Sequence, residues 1–407
     1  MVGWLQVWNN PGFDWDNTRR MVVRWESIFV TPSNRGVFNF FQGGKIMSIQ
    51  ARPNVQNLEV YVPGKPIEEV QRELGLSRVI KLASNENPWG PSPKALEEAR
   101  KVLDRVFLYP DGNAFNLKSK IAGELEIGPE QIIIGNGSDE IVQMIAQAFV
   151  DPGDEVLMAA PSFPRYKTVA ELMGGIPVEV GLTDYRHDLK AMAQEISART
   201  KVIFVCNPNN PTGTIVTGQE LDEFMSLVPD GVLVVFDEAY YEYIADENFT
   251  SGLKYFRDGR PVLVLRTFSK AYGLAGLRIG FGIGTREIID LLNRVRGPFN
   301  GNLVALEAAA AAWDDKTYLR EVVAKNARGL EQLTLGLERM GCKVVPSETN
   351  FLLVETGKAS QEVFKGLLSQ GIIVRPGHLL GYPAALRVTV GTPEQNEEFL
   401  AALARLL

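Results

Sequence analysis

An α/β domain on a mainly parallel sheet, followed by a smaller α+β domain, is the fold class the sequence predicts. Three observations carry the prediction. From Val79 onward, short apolar runs alternate with stretches of helical spacing, the pattern of strand–helix–strand units. The turns after these runs are rich in Gly, Asn, Asp, Ser and Thr, as expected where strands feed helices. Past Gly301 the texture changes to an Ala-rich helix and longer helical patterns, which marks a second unit.

In chain order, Ser92-Pro93 reads as an N-cap and first turn, opening a helix to about Leu103. Gln131–Ile134 is a short strand, and Ile141, Met144, Ile145, Ala148 and Phe149 fall on one face of the helix after it. Asp151-Pro152-Gly153 stops that helix. Further strands are expected at Glu155–Met158, Val202–Val205, Val232–Phe236, Val262–Leu265 and Ile279–Ile283. In the second unit, Leu303–Trp313 and Glu362–Ser369 read as helices and Arg387–Val390 as a strand. Thr392-Pro393-Glu394-Gln395 reads as a capping box opening a last helix. Residues 1–46 lack this patterning. They hold four of the six tryptophans, carry a net +2 (five Arg/Lys against three Asp/Glu), and are expected to be a disordered extension or a start-site artefact. The expected division is therefore 1–46 extension, 47–93 N-terminal part of the small domain, 94–303 large domain and 304–407 C-terminal small domain.

Composition narrows the chemistry. The 407 residues carry a net charge of −7, which argues against a nucleic-acid surface, and no apolar run is long enough to span a bilayer. Only two histidines, His187 and His378, and two cysteines, Cys206 and Cys342, are present. A clustered metal site and a His-based triad are therefore not expected, and both histidines read as structural or solvated. Two separated cysteines suit a reducing, cytoplasmic compartment. The hard chemistry is left to lysine, carboxylates or an organic cofactor.

Ligands of open parallel sheets bind beyond the carboxyl ends of the strands. Five such ends are chemically loaded: Gly135–Glu140, Pro161-Ser162-Phe163, Asn207–Gly213, Asp237–Tyr240, and Arg266–Lys270 with Arg278 further on. Each alone is ordinary: a Gly turn, a cap, a loop, a solvated lysine. Together they supply phosphate donors at a helix N-terminus, an aromatic, an amide, a carboxylate with a phenol, and a lysine. That set matches pyridoxal 5′-phosphate, which needs a Schiff-base lysine, an acidic partner for its ring nitrogen and anion-binding N–H groups.

At these residues the sequence resembles the fold-type I pyridoxal-phosphate aminotransferases, and among them most closely the histidinol-phosphate aminotransferase family. The likeness spans about residues 55–407 and includes Tyr61–Pro66, Leu82–Pro88, Tyr109–Gly112, Asn136–Glu140, Asn207–Gly213, Asp237–Tyr241, Ser269-Lys270 and Leu386–Thr392. It implies a large domain with a seven-stranded sheet. By this resemblance Lys270 is the Schiff-base lysine and proton carrier, Asp237 pairs with the ring nitrogen, and Tyr240 and Asn210 contact the ring hydroxyl. Phe163 stacks on the ring. Ser138, Asp139, Thr267, Ser269 and Arg278 hold the phosphate, and Tyr109 reaches the cofactor of a neighbouring subunit, which implies a homodimer. Arg387 binds the substrate carboxylate, Arg375 lies near the substrate's phosphate end, and Tyr61 and Asn85 line the same pocket. The implied activity is exchange of an amino group between histidinol phosphate and 2-oxoglutarate, giving imidazole-acetol phosphate and glutamate, with no metal. The alternatives are an aromatic-amino-acid aminotransferase, a threonine-phosphate decarboxylase, and a transcription regulator with an aminotransferase-like domain. The last would need a DNA-binding module that residues 1–46 do not resemble.

Overall fold

The computed structural model describes residues 37–42, 45–56, 58, 60 and 64–407. In the first unit, β1 (Val37–Gln42) pairs antiparallel with β2 (Lys45–Gln50), so the boundary expected at Met47 falls inside a hairpin strand. The expected disorder of residues 1–36 lies outside the described residues. The second compact unit begins at Leu58 and runs to the C-terminus.

After β3 (Ile80–Leu82), the second unit builds its main sheet from β4 (Ile132–Gly135), β5 (Glu155–Ala160), β6 (Ile176–Thr183), β7 (Arg186–His187), β8 (Thr200–Cys206), β9 (Leu233–Asp237), β10 (Val262–Thr267) and β11 (Gly280–Gly284). The order is β4-β11-β10-β9-β8-β5-β6-β7. All run parallel except β7 and β11. The sheet has eight strands, not the expected seven. The eighth, β7, is a two-residue strand folded back on β6, too short to leave an apolar pattern. β6 was not among the strands expected from the residues. It contains Pro177 and Gly181 and is mostly exposed or half-buried, so it lacks the apolar run of a central strand.

Alternate residues of the central strands enter two separate cores, as a period of two dictates. Ile132, Ile134, Leu157, Ile203, Val205, Val234 and Val264 face the helices Phe115–Leu125, Gly218–Leu227 and Leu303–Asp314. Ile133, Val156, Met158, Val202, Phe204, Val235 and Leu265 face Ser138–Phe149, Arg165–Met173 and Arg286–Val295. Each such side chain contributes about 1.5–3 kcal/mol of burial. The alanine string of Leu303–Asp314 lies in the first of these cores, against the helices Pro93–Lys101 and Phe115–Leu125. That helix thus packs with the main sheet, although it falls in the segment expected to open the small domain.

The second sheet has the order β12-β13-β15-β14-β3, from β12 (Lys343–Val344), β13 (Phe351–Glu355), β14 (Ile372–Pro376) and β15 (Ala385–Thr389). β3 enters parallel to β14, so a segment near residue 80 completes a sheet otherwise drawn from the last quarter of the chain. Both expected helix starts form. The Ser92 hydroxyl accepts from Lys94 N at 3.2 Å. Thr392 and Gln395 form a reciprocal capping box at the head of helix Pro393–Ala404.

Candidate active site

The loaded strand ends converge on one cavity of about 190 Å³. The main sheet supplies Ser138, Asp139, Phe163, Asn210, Asp237, Tyr240, Thr267, Ser269, Lys270 and Arg278; the second sheet and its approaches supply Asn85, Arg375 and Arg387. Thirteen of the fifteen residues expected at the site line it. Tyr61 lies outside the described residues. Tyr109 is 82% exposed and stacks on Phe299 with ring centroids 4.7 Å apart, so within one chain it is a surface residue.

Lys270 follows β10. Its Nζ donates to Ser84 O at 3.3 Å, and burial holds the amine down at about 8, with the Arg387 charge acting in the same direction. Asp237 ends β9 and is 4% exposed. Burial lifts its carboxyl to about 6, against the lowering effect of the Tyr166 hydroxyl, which donates to Oδ2 at 2.6 Å. Ala239 N donates to Oδ1 at 3.2 Å.

Tyr240 is buried, its phenol pushed up by desolvation, and its hydroxyl accepts from Asn85 Nδ2 at 2.9 Å. Asn85 is held in the left-handed region at φ 54° by Thr389 and Asn350. Its N–H donates to Thr389 Oγ1 at 2.9 Å, that hydroxyl returns a bond to Asn85 Oδ1 at 3.1 Å, and Asn350 Nδ2 donates to Asn85 O. A non-glycine residue kept there by its surroundings is backbone strain placed at a site.

The anion end is formed by backbone. Gly137, at φ 77°, caps the helix Ser138–Phe149, whose first-turn N–H groups have no intrahelical acceptors. A Cβ on Gly137 would lie 2.6 Å from Arg278 Nη2, and one on Gly280 would lie 2.5 Å from Ser138 N. Only glycine lets β11, Arg278 and the helix start approach this closely. Arg278 is itself left-handed at φ 55° and donates to Ser269 Oγ and Ala275 O, both at 3.3 Å. Thr267 Oγ1 accepts from Ser269 N. The Asp139 carboxylate is engaged by Arg165 at 2.7 Å, which leaves its backbone N–H as the group to offer an anion.

The end of the cavity formed by the second sheet is cationic. Arg375 on β14 and Arg387 on β15 are direct cross-strand partners, each 8% exposed, so both guanidiniums rise from one face. Arg387 donates to Asn210 Oδ1 and Ala83 O, both at 2.7 Å, and sits over the Phe351 ring.

Sequence reasoning missed Tyr166, Cys206, the Ala83 and Ser84 carbonyls, and Asn209, which links His187, Ser162 and Thr212 beside Asn210. His187 is thus a buried structural histidine, lowered by desolvation to about 4. His378 accepts or donates at Nδ1 with Ser360 Oγ, away from the cavity. Backbone carbonyls leave no mark in a sequence. A phenol on a helical face resembles core, although its place three residues after Phe163 was a usable hint.

Residues 77–403 match the model of the aminotransferase class I and II family. Histidinol-phosphate aminotransferase of Moorella thermoacetica is 51% identical over 88% of this chain and 93% of its own length. Histidinol-phosphate aminotransferase 2 of Carboxydothermus hydrogenoformans is 49% identical over 88% and 99%. Among solved structures, histidinol-phosphate aminotransferase from Sinorhizobium meliloti in complex with pyridoxal-5′-phosphate superposes with a TM-score of 0.81 at 28% identity, covering 88% of this chain and 97% of that one. The chain belongs to the aminotransferase class I and II family and, within it, to the histidinol-phosphate aminotransferases.

Proposed function

We propose that this chain transfers the amino group between histidinol phosphate and 2-oxoglutarate, reversibly and with pyridoxal 5′-phosphate, in histidine biosynthesis. The cavity fits that cofactor. It pairs a desolvated lysine with a buried carboxylate, and its glycine-lined helix start would be filled by any Cβ. Bound there, the cofactor supplies a carbonyl carbon for amine exchange and a ring that withdraws electrons from the substrate Cα.

The chain's residues supply the rest. Lys270 Nζ, its pKa lowered by burial to about 8, serves as the base at the substrate Cα. Asp237 offers a carboxylate to the ring nitrogen, and Tyr240 and Asn210 offer hydrogen bonds to the ring hydroxyl. Phe163 gives the ring an apolar face. The N–H groups of Ser138 and Asp139, with Thr267, Ser269 and Arg278, hold the cofactor phosphate.

The likeness to the histidinol-phosphate aminotransferases carries the choice of substrate, and the Arg375–Arg387 pair fits it. Two guanidiniums side by side on one sheet face suit a phosphate dianion in one half-reaction and a carboxylate in the other. Turnover of histidinol phosphate and of phenylalanine, each with 2-oxoglutarate, tests it. Histidinol phosphate should have much the larger kcat/KM; turnover of phenylalanine alone would overturn the reading in favour of an aromatic aminotransferase.

The proposed assembly is a cytoplasmic homodimer. Val106, Phe107, Leu108 and Phe115 are exposed apolar residues flanking Tyr109 in the chain, of the kind a second copy would cover. Sedimentation at micromolar concentration should give twice the chain mass. Two buried free cysteines suit a reducing compartment, and among the described residues no helix is long and apolar enough to cross a membrane.

A further inference from the structure

Tyr166 is a second buried phenol, behind the cavity wall rather than lining it, and packing alone does not explain its hydroxyl. It enters from the first turn of helix Arg165–Met173, is 1% exposed, and lies flat on Phe204 with ring centroids 4.3 Å apart and planes 8° apart. Its edge meets Phe163 at 5.5 Å. Stacking fixes the ring, so the hydroxyl is aimed at the end of β9, where it donates to Asp237 Oδ2 at 2.6 Å and also meets the neutral Cys206 thiol. That short bond from phenol to carboxylate is of the charge-assisted kind.

We infer that Tyr166 is a positioning residue of the reaction: by donating to Oδ2 it orients Asp237 and keeps that carboxylate charged for the cofactor's ring nitrogen. The inference rests on the pyridoxal-phosphate reading above. The neighbours of Asp237 make the donor necessary. Glu238 and Asp139 both push protons onto it, and Cys206, its register partner on β8, is itself a neutral thiol raised by burial. Lys270 and Tyr240 face it across the cavity, and of these two only Lys270 brings a cation. Burial would protonate a carboxylate so placed, and the Tyr166 hydroxyl is the largest opposing effect. The same tyrosine buttresses Phe163, so one side chain supports both the acid partner and the aromatic face of the cofactor site.

The test measures the pyridoxal phosphate dissociation constant by absorbance titration of cofactor-free protein between pH 5.5 and 9. Wild type should weaken on the acid side near pH 6. Y166F, which keeps the stacked ring, should move that limb up by about one pH unit and leave the value at pH 9 unchanged, so affinity at pH 6.5 drops several-fold. Site-specific 3,5-difluorotyrosine at position 166, a stronger donor, should move the limb down; it also serves if Y166F fails to fold. In the D237N background, Y166F should have no further effect, because its influence runs through the carboxylate. An acid limb unmoved in Y166F, or moved equally in the D237N background, would overturn the role of Tyr166. Failure of wild type to bind the cofactor at all would instead overturn the proposed function.

Discussion

Replacing Arg387 by Gln tests the electrostatics of the site at its centre. Lys270 is pushed from the ordinary 10.5 to about 8, with burial the larger cause and the Arg387 charge the next. At pH 7.5 an amine with a pKa of about 8 is about a quarter neutral, against ~0.1% at 10.5, a gain of about 240-fold in nucleophilic form. Glutamine keeps donors for Asn210 and Ala83 while removing the charge. Burial remains, so the midpoint should rise by about one unit rather than return to 10.5. The neutral fraction at pH 7.5 then falls to about 3%, an ~8-fold loss. The assay traps pyridoxal on cofactor-free protein with cyanoborohydride across pH 6–11 and quantifies the Lys270 peptide by mass spectrometry, with an exposed lysine peptide as reference. The linked stability has a defined sign. Because the folded pKa is depressed, this lysine's contribution is complete above 10.5 and is lost as pH falls through about 8. A wild-type midpoint near 10.5 would refute the desolvation argument. A midpoint near 8 that does not move in R387Q would remove Arg387 from it.

Three further outcomes follow from the same geometry. Lys270→Ala should abolish covalent capture of the cofactor, read as the loss of a borohydride-stable adduct at residue 270, while the thermal transition of the cofactor-free protein is retained. Gly280→Ala places a Cβ 2.5 Å from Ser138 N and 3.0 Å from Arg266 O. It should cost about 1–3 kcal/mol in urea unfolding and weaken binding of the phosphorylated cofactor much more than of pyridoxal. Arg266→Met leaves Glu238 buried without its guanidinium partner at 2.9 Å, and should lower stability by about 3–5 kcal/mol, measured as a shift of the urea midpoint.

The parts of the site that were legible are those where one residue type has one chemical use. Lys270, Asp237 and the Gly135-Asn136-Gly137 turn stand at strand ends, where apolar periodicity stops abruptly and leaves polar residues exposed to notice. The capping box at Thr392 was legible because it is local, complete within four residues. β6 was not, because a strand half in solvent and covered on its outer side only by the two-residue β7 carries no apolar run, and β13 was not expected although Phe351–Val354 is buried. Tyr166 was hidden by periodicity itself: it takes a core position of its helix with Val169 and Ala170, and nothing local distinguishes a phenol that packs from one that also donates. Long-range bonds were the least legible. Asn85 meets Thr389 across 304 residues of chain, and no spacing rule reaches that far.

The route by which such distant residues meet gives the fold its role in the chemistry. β3 lies parallel to β14, and the next residues, Ala83 to Asn85, run directly into the cavity. Ala83 O then accepts from Arg387, Ser84 O from Lys270, and Asn85 donates to Tyr240. Three consecutive residues thus touch Arg387, Lys270 and Tyr240, three of the residues that line the cavity. A displacement of this one segment would change all three groups together: the Lys270 amine would lose its acceptor, the phenol its donor, and Arg387 one of its anchors. β3 is only three residues long and paired on one edge, but Ile80 and Leu82 are buried in the core of the second sheet and Asn85 is held by Thr389 and Asn350, so packing fixes the segment as well as pairing. The segment therefore sets Arg387, Lys270 and Tyr240 relative to one another, while the main sheet fixes Asp237 and Lys270 from the other side of the cavity.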